Sequence, residues 1–308
     1  QQINTIIPNL EFVDENFLFY LCTSMKDIFL KQASGTGTPI LNASHFSQIE
    51  VQIPTLQLQR KIGTTLSSFD DLIENNTRRS EILEHSARAL YREWFVHYRY
   101  PGHENDTMVD SELGPIPKQW KVKKLKDCCH LTMGQSPKSE FYNEERIGLP
   151  FHQGVKDFED RFPKHNKWCT KETRIAEVND VLISVRAPVG RMNITSEKII
   201  IGRGLCAVRS ENYSQSFLFE QLKQVFYKED IMGGGTIYNS VTKKDMEDIE
   251  LLCPPADIHA IFAERSNPTF ELISILTASN NYLKSTRDLL LPRLISGELD
   301  VTDLDLVA

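Results

Sequence analysis

The chain has 308 residues, 40% of them apolar and 25% charged, the composition of a folded protein with two or three domains. No signal peptide is visible and no apolar run approaches 18 residues, so no membrane span is expected; six scattered cysteines without a CxxC pair argue against a disulfide framework and fit reduced thiols in the cytoplasm. The net charge of −7 hides a division, because residues 115–210 carry 18 Lys or Arg against 11 Asp or Glu while the rest carries 17 against 31, so overall acidity does not exclude nucleic acid.

In chain order, residues 1–54 read as the tail of a globular unit. Asp14 can cap a helix running from Glu15 to about Gln32, with Phe17, Leu18, Leu21, Met25, Ile28 and Phe29 on its apolar side. Ala33–Pro39 is a Gly/Ser/Thr turn, and Ile49–Ile53 alternates as an edge strand stopped by Pro54. Residues 55–98 form a long helix. Ile62, Phe69, Asn76, Leu83 and Leu90, with Leu66, Ile73, Ser80, Ala87 and Trp94, are the a and d positions of a heptad repeat. About 42 residues at ~1.5 Å each make roughly 60 Å of rod. A narrow apolar stripe of this kind needs a partner to bury it. Gly63 is tolerated near the start at about 1 kcal/mol. Trp94, Phe95 and Tyr98 make an aromatic docking point for the tip of a second helix or for another subunit.

Residues 99–114 are a linker, and the next domain, 115–253, opens at Gly114-Pro115-Ile116-Pro117 and Trp120. Its strand signals are Trp120–Val122, Val181–Val185, Ile194, Ile199–Ile201 and Leu205–Val208; Gly134–Pro137, Phe151–Gly154 and Lys164–Lys171 read as polar loops. A helix from Ser214 to Lys228 closes the domain. A second long helix occupies 254–298, with Pro268 expected to kink it or to force a restart at 267–269 capped by Ser266 or Asn267. Residues 299–308 are an acidic tail.

A shift of 200 residues superimposes the two ends of this map. Phe262, Leu276, Leu283, Leu290 and Leu294 fall on Ile62, Asn76, Leu83, Leu90 and Trp94, and Leu272-Ile273 on Leu72-Ile73. Upstream, Phe217-Leu218-Phe219 falls on Phe17-Leu18-Phe19, Ile249-Glu250 on Ile49-Glu50 and Pro254 on Pro54, while Gly233–Thr236 faces Gly35–Thr38 two residues out of step. One segment therefore occurs twice, and each long helix has its partner in the same chain, packed antiparallel. Asn76 and Asn280 lie on the seam, where polar residues either fix register or mark local imperfection. Residue 1 corresponds to residue 201, so the chain reads as a fragment that opens inside a domain.

Catalytic signatures are missing from the sequence. It has no GxxxxGK[ST] and no GxGxxG; Cys253-Pro254-Pro255-Ala256 lacks the neighbours of an amino-methyltransferase motif. Asp180 before Val181–Val185 lacks a following Glu-X-Lys, and the pairs around His130 and His165 lack four convergent metal ligands. Gly202-Arg203-Gly204 cradles an anion or simply turns a strand. The candidates for DNA contact are loop cations, Lys138, Lys156, Lys164, Lys167, Arg174, Arg186, Arg191 and Arg203, which suit phosphates and, for Arg, guanine. Gln135, Ser136, His152 and Gln153 are candidates for base edges.

Together these features resemble the DNA-specificity subunit of type I restriction-modification enzymes. The resemblance rests on Gly114-Pro115-Ile116-Pro117 with Trp120, Gly134-Gln135-Ser136-Pro137, Val181–Arg186 with Gly190, Gly233–Thr236 and Leu290–Leu299, and covers nearly the whole chain; it departs at the start, where most of a first target-recognition domain is absent. It implies an α+β fold, strand-rich target-recognition domains joined by two long antiparallel coiled-coil helices. It also implies a non-catalytic protein that reads a split target in double-stranded DNA. Partners would be two modification (methyltransferase) subunits using S-adenosylmethionine and restriction subunits using ATP and Mg2+, with no cofactor in this chain. A coiled-coil scaffold that never touches DNA is the alternative.

Overall fold

The computed structural model describes residues 5–33, 41–230 and 240–301; the glycine turns expected at Gly35–Thr38 and Gly233–Thr236 lie outside the described residues. The chain divides into two compact units, residues 1–83 with 271–308 and residues 84–270.

In the first unit, α1 (Glu15–Ser24) starts where expected, with the Asp14 carboxylate accepting from the Phe17 amide at 3.0 Å. The single helix expected over 15–32 is instead two. It breaks at Met25 and continues as α2 (Lys26–Gln32). The Thr23 and Ser24 hydroxyls bond the Phe19 and Leu21 carbonyls, a local competition that weakens the end of α1. A short α3 (Ala43–Ser47), capped by Asn42, follows. The edge strand expected at Ile49–Ile53 is not formed, because no described strand pairs with it. Then comes α4 (Leu56–Phe95), whose residues to Leu83 belong to this unit.

Gly63 has a packing reason rather than being a tolerated weakness. A Cβ there would sit 2.8 Å from Asp14 Oδ1 and 2.9 Å from the Phe17 amide, so its absence lets the capped start of α1 rest on α4. Gln59 fixes the same junction, accepting from the Asp14 amide and donating to the Phe12 and Pro54 carbonyls. Phe17, Tyr20, Leu21 and Met25 share a core with Ile62 and Leu66 of α4 and Leu291 and Leu294 of the last helix. Further along, Arg287 pairs with Asp70, which also accepts from the Tyr20 hydroxyl. Asn76 donates to Asn280 at 3.0 Å, and Asn280 donates to Thr77 Oγ1 and the Ile73 carbonyl. Ascending numbers meet descending ones, so the helices run antiparallel. The seam asparagines form a bonded pair that suits one register.

In the second unit, α4 ends at Phe95 rather than Tyr98, which turns out of the helix with φ 57°. Its first strands are β1 (Met108–Val109), within the stretch expected to be linker, β2 (Ile116–Pro117) and β3 (Lys121–Lys124). There follow β4 (Cys129–Met133), β5 (Tyr142–Asn143), β6 (Leu149–His152), β7 (Trp168–Cys169), β8 (Ile175–Ala176), β9 (Val181–Ser184), β10 (Met192–Ile194), β11 (Ile199–Ile201) and β12 (Leu205–Ser210). After α5 (Gln215–Asp230) and α6 (Lys243–Glu247), β13 (Glu250–Cys253) leads into α7 (Ala256–Ile295). One sheet has the order β10-β9-β12-β4, a second β5-β7-β6-β11-β8, and β1-β2 and β3-β13 form two-stranded pieces. The all-apolar runs Val181–Ile183 and Ile199–Ile201 are fully buried, as strands covered on both faces must be. The polar loop expected at Phe151–Gly154 is overturned for Phe151 and His152, which end β6; β6 pairs in parallel with β11 and is buried there.

The aromatic end of α4 meets the start of α7 and α5. Trp94 lies 5.9 Å from Phe262, and Phe95 lies 4.8 Å from Phe217 and 5.6 Å from Trp120. Of the two occupants considered for that aromatic patch, it is the second long helix. Pro268 does not restart α7. Asn267, expected as a cap, instead accepts from the Ser216 hydroxyl at 2.6 Å, and the helix is unbroken. The 200-residue repeat extends to element boundaries: α3 and α6 span 43–47 and 243–247, and α4 and α7 span 56–95 and 256–295.

The heptad residues all lie on the covered side of these helices. Ile62, Leu66, Trp94, Phe262, Ile273, Leu276 and Leu294 are buried, and Phe69, Ile73, Asn76, Leu83, Leu90, Leu283 and Leu290 half-buried.

Candidate nucleic-acid interface

The loops that carry the candidate residues converge on the turn between β11 and β12. Gly202-Arg203-Gly204 is that turn, closed by the Leu205 amide donating to the Gly202 carbonyl at 3.0 Å. The Gln135 amide donates to Ile201, the Ile201 amide to Arg174, and the Gly204 amide to Gln153. Ser136 sits at the crossing. Its hydroxyl donates to Gln153 Oε1 at 2.7 Å and accepts from the Arg203 amide at 3.2 Å. Backbone contact this close requires glycine, since a Cβ on Gly134 would lie 2.1 Å from the Gly202 carbonyl oxygen. Four segments far apart in sequence thus present Gln135, Gln153, Arg174 and Arg203 together as exposed side chains.

Beside this centre, Lys138 is exposed, and the Tyr142 hydroxyl donates to the Pro137 carbonyl at 2.8 Å. Lys167 lies 5.5 Å from the Tyr142 ring centre, Arg146 5.5 Å from that of Trp168 and Lys171 5.0 Å from that of Phe141. Cations over aromatic rings suit a surface that meets phosphates and base faces. Arg146, Lys171, Tyr142 and Trp168 escaped the reading of the sequence, although their alternation of cations and aromatics between Lys138 and Lys171 was a usable signal. Lys156 and Lys164 are exposed on neighbouring turns, the Lys164 amide donating to Asp157 at 2.8 Å.

Three candidates sit differently. Arg186 is exposed just beyond Val185, whose amide donates to Gly204, so it borders the centre from the far side. Arg191 lies in a separate cleft of about 620 Å³, with Arg88, Arg92, Lys223 and Glu220 among its lining. His152 cannot meet a base edge. It is 0% exposed, its Nε2 lies 2.8 Å from His165 Nδ1, and burial, with the neighbouring imidazole of His165, pushes its pKa down to about 4. The residue lies at the end of a buried strand, and its polarity alone gave no sign of that.

Not every cation here is available to DNA. Arg161 is 4% exposed, wedged 4.7 Å from the Phe219 ring centre and 4.5 Å from that of Phe270, and paired with Glu84 at 3.1 Å. Lys223 stands 3.7 Å from the same Glu84 and 4.4 Å from the Phe219 ring centre. Asp180, which might have suggested a nuclease, is buried and holds Arg209 in a two-pronged pair at 2.7 and 2.9 Å. That is a structural duty. Among the described residues, no group of three or more His, Cys, Asp or Glu side chains is arranged to hold a metal ion, and no helix is long and apolar enough to cross a membrane.

Comparison with known proteins identifies the family. The family model for the type I restriction modification DNA specificity domain matches residues 1–85 and 117–285. A Methanocaldococcus jannaschii protein named as the type I restriction enzyme MjaX specificity subunit is 31% identical over 301 residues, 96% of this chain and 70% of that protein. The MjaIX specificity subunit of the same organism is 30% identical, over 99% of this chain and 73% of that one. The crystal structure of the type I restriction-modification system S subunit from M. genitalium shares the fold with a TM-score of 0.62 at 17% identity, covering 94% of this chain and 74% of that one. The chain belongs to the family of type I restriction-modification specificity subunits, non-catalytic proteins for sequence-specific DNA recognition.

Proposed function

We propose that this chain reads one part of its target with the loops gathered on the β11–β12 turn. In this reading Gln135, Gln153 and Arg203 face base edges, and Lys138, Lys156, Lys164, Lys167 and Arg174 hold phosphates. Arg186 and Arg191 flank them as phosphate contacts. The observation that carries the proposal is the Ser136 crossing, which fixes Gln153 and the Arg203 backbone relative to each other by two hydrogen bonds. Side chains that discriminate bases must be held rather than left to wander, because a two-pronged base contact works only at one orientation.

The 200-residue repeat extends the proposal to the assembly. A scaffold whose long helices repeat with the same bounds suits two copies of one partner. We assign those partners as two modification subunits, which would bring S-adenosylmethionine, with restriction subunits bringing ATP and Mg2+. The target is bipartite in this reading, with the paired long helices setting the gap between its parts. The test is to incubate the chain, copurified with its modification subunit, with a randomised duplex pool at two salt concentrations, and to sequence what is retained. Enrichment of a split motif with a fixed gap is the expected result. Retention without enrichment, abolished by modest salt, would leave only phosphate attraction and overturn the proposal.

A further inference from the structure

His152 is a polar residue buried at the heart of the recognition unit, and among the described residues its side chain makes one hydrogen bond, to His165. The chain of contacts sets the protons. His165 Nε2 lies 3.3 Å from the Glu197 carboxylate, which only accepts, so the His165 proton belongs on Nε2. His165 Nδ1 is then the acceptor, and His152 Nε2 donates to it. His152 Nδ1 is left as a bare lone pair, and that atom is buried without a partner among the described residues. The geometry thus places two neutral imidazoles in series, ending at a surface carboxylate.

What the series holds is a piece of the DNA-facing surface. His165 stands between Lys164 and Lys167 on a segment with no helix or strand of its own before Trp168. Its backbone ties are the Lys164 amide to Asp157 and the Phe151 amide to Lys167, at 2.8 Å each. Asn166 adds one side-chain bond to Asp157 at 2.9 Å. The imidazole pair is the link from the middle of this segment to the buried sheet.

We propose that His152 is a positioning residue for DNA recognition: its bond to His165 holds the 164–167 segment against the sheet and so sets where Lys164 and Lys167 meet the DNA backbone. The inference rests on the proposed recognition surface and goes beyond it, because a residue that never touches DNA controls affinity through residues that do. Holding two lysines in place reduces the entropy they lose on binding. Freeing them lowers affinity without removing a single charge.

The test uses the full chain and a labelled 40-base-pair duplex of mixed sequence at low salt. H152Q keeps a donor near the Nε2 position, whereas H152L fills the space and donates nothing. The expected result is that H152Q binds within about threefold of the original chain and H152L about tenfold more weakly. In the H152L background, further replacement of Lys164 and Lys167 by Ala costs much less than it does in the original chain, since coupled residues are not additive. A purely structural role would leave that increment unchanged. H165A, altered at the half-buried end of the same bond, gives the same reading should H152L not fold. Full additivity, or H152L binding like the original chain while K164A/K167A binds weakly, would overturn the positioning role and leave the recognition surface standing. If K164A/K167A and K138A/R203A both bind like the original chain, the surface itself is wrong and the positioning role falls with it.

Discussion

The two copies of the repeat share the bounds of α3 and α6 and of α4 and α7, but their surroundings differ among the described residues, and the difference separates what the helices carry from what residues 84–270 add. Phe17 and Phe217 are both fully buried, each at the start of a helix set against a long helix. Phe19 is 61% exposed whereas Phe219 is 1% exposed, because Arg161 and Lys223 stack on Phe219 and no described cation stacks on Phe19. Val51 is 45% exposed and unpaired; Leu251, its counterpart, is 2% exposed in a strand that pairs with Lys121–Lys124. The long helix and the helix before it carry their own packing instructions in either copy. In the second copy the strand and the outer aromatic take their partners from Lys121–Lys124 and Arg161.

The outer aromatics should differ most between the two copies. F219A should cost about 3–5 kcal/mol and F19A less than about 0.5 kcal/mol, measured as shifts in urea unfolding; equal costs would erase the distinction. A pH effect comes next, and it arises in the second copy. His152 in the folded chain titrates at about 4, below the ordinary 6.5, so on acidification the unfolded chain takes up the proton first. Its share of stability is intact above pH 6.5 and is lost as pH falls to 4, about 3 kcal/mol in all; H152Q should flatten the stability curve across that window.

The seam asparagines come third. N280L strands the Asn76 amide on the seam and should cost about 1–3 kcal/mol. Replacing both by Leu should recover most of that loss while weakening the preference for one register, read by cross-linking of single cysteines placed along the helices. The smallest effect compares helix caps. D14A and T242A each remove a side-chain cap, and each should cost about 1 kcal/mol by the same unfolding measurement.

Much of this scaffold was legible in the sequence because its signals are periodic. Heptads mark the covered faces of both long helices, and a 200-residue offset locates their partners without any knowledge of the fold. What could not be read depended on partners distant in sequence. Ile49–Ile53 alternates as a strand should, yet alternation does not supply a neighbour to pair with. Pro268 signals a break that the packing around α7 overrides. In the recognition unit, Gln135, Gln153 and Arg203 could be picked out as polar loop residues, but their convergence on Ser136 follows from a strand order that local patterns do not encode. His152 and Arg161 look like surface residues until the β6–β11 pairing covers one and two phenylalanines enclose the other.

Whether the loops on the β11–β12 turn carry sequence preference is decided by repeating the randomised-duplex selection with the Q153A/R203A chain. The original chain should enrich a defined motif, and the double variant should lose its preference at part of that motif while keeping salt-sensitive retention. Enrichment of the same motif to the same degree by the double variant would show that these loops do not read the target.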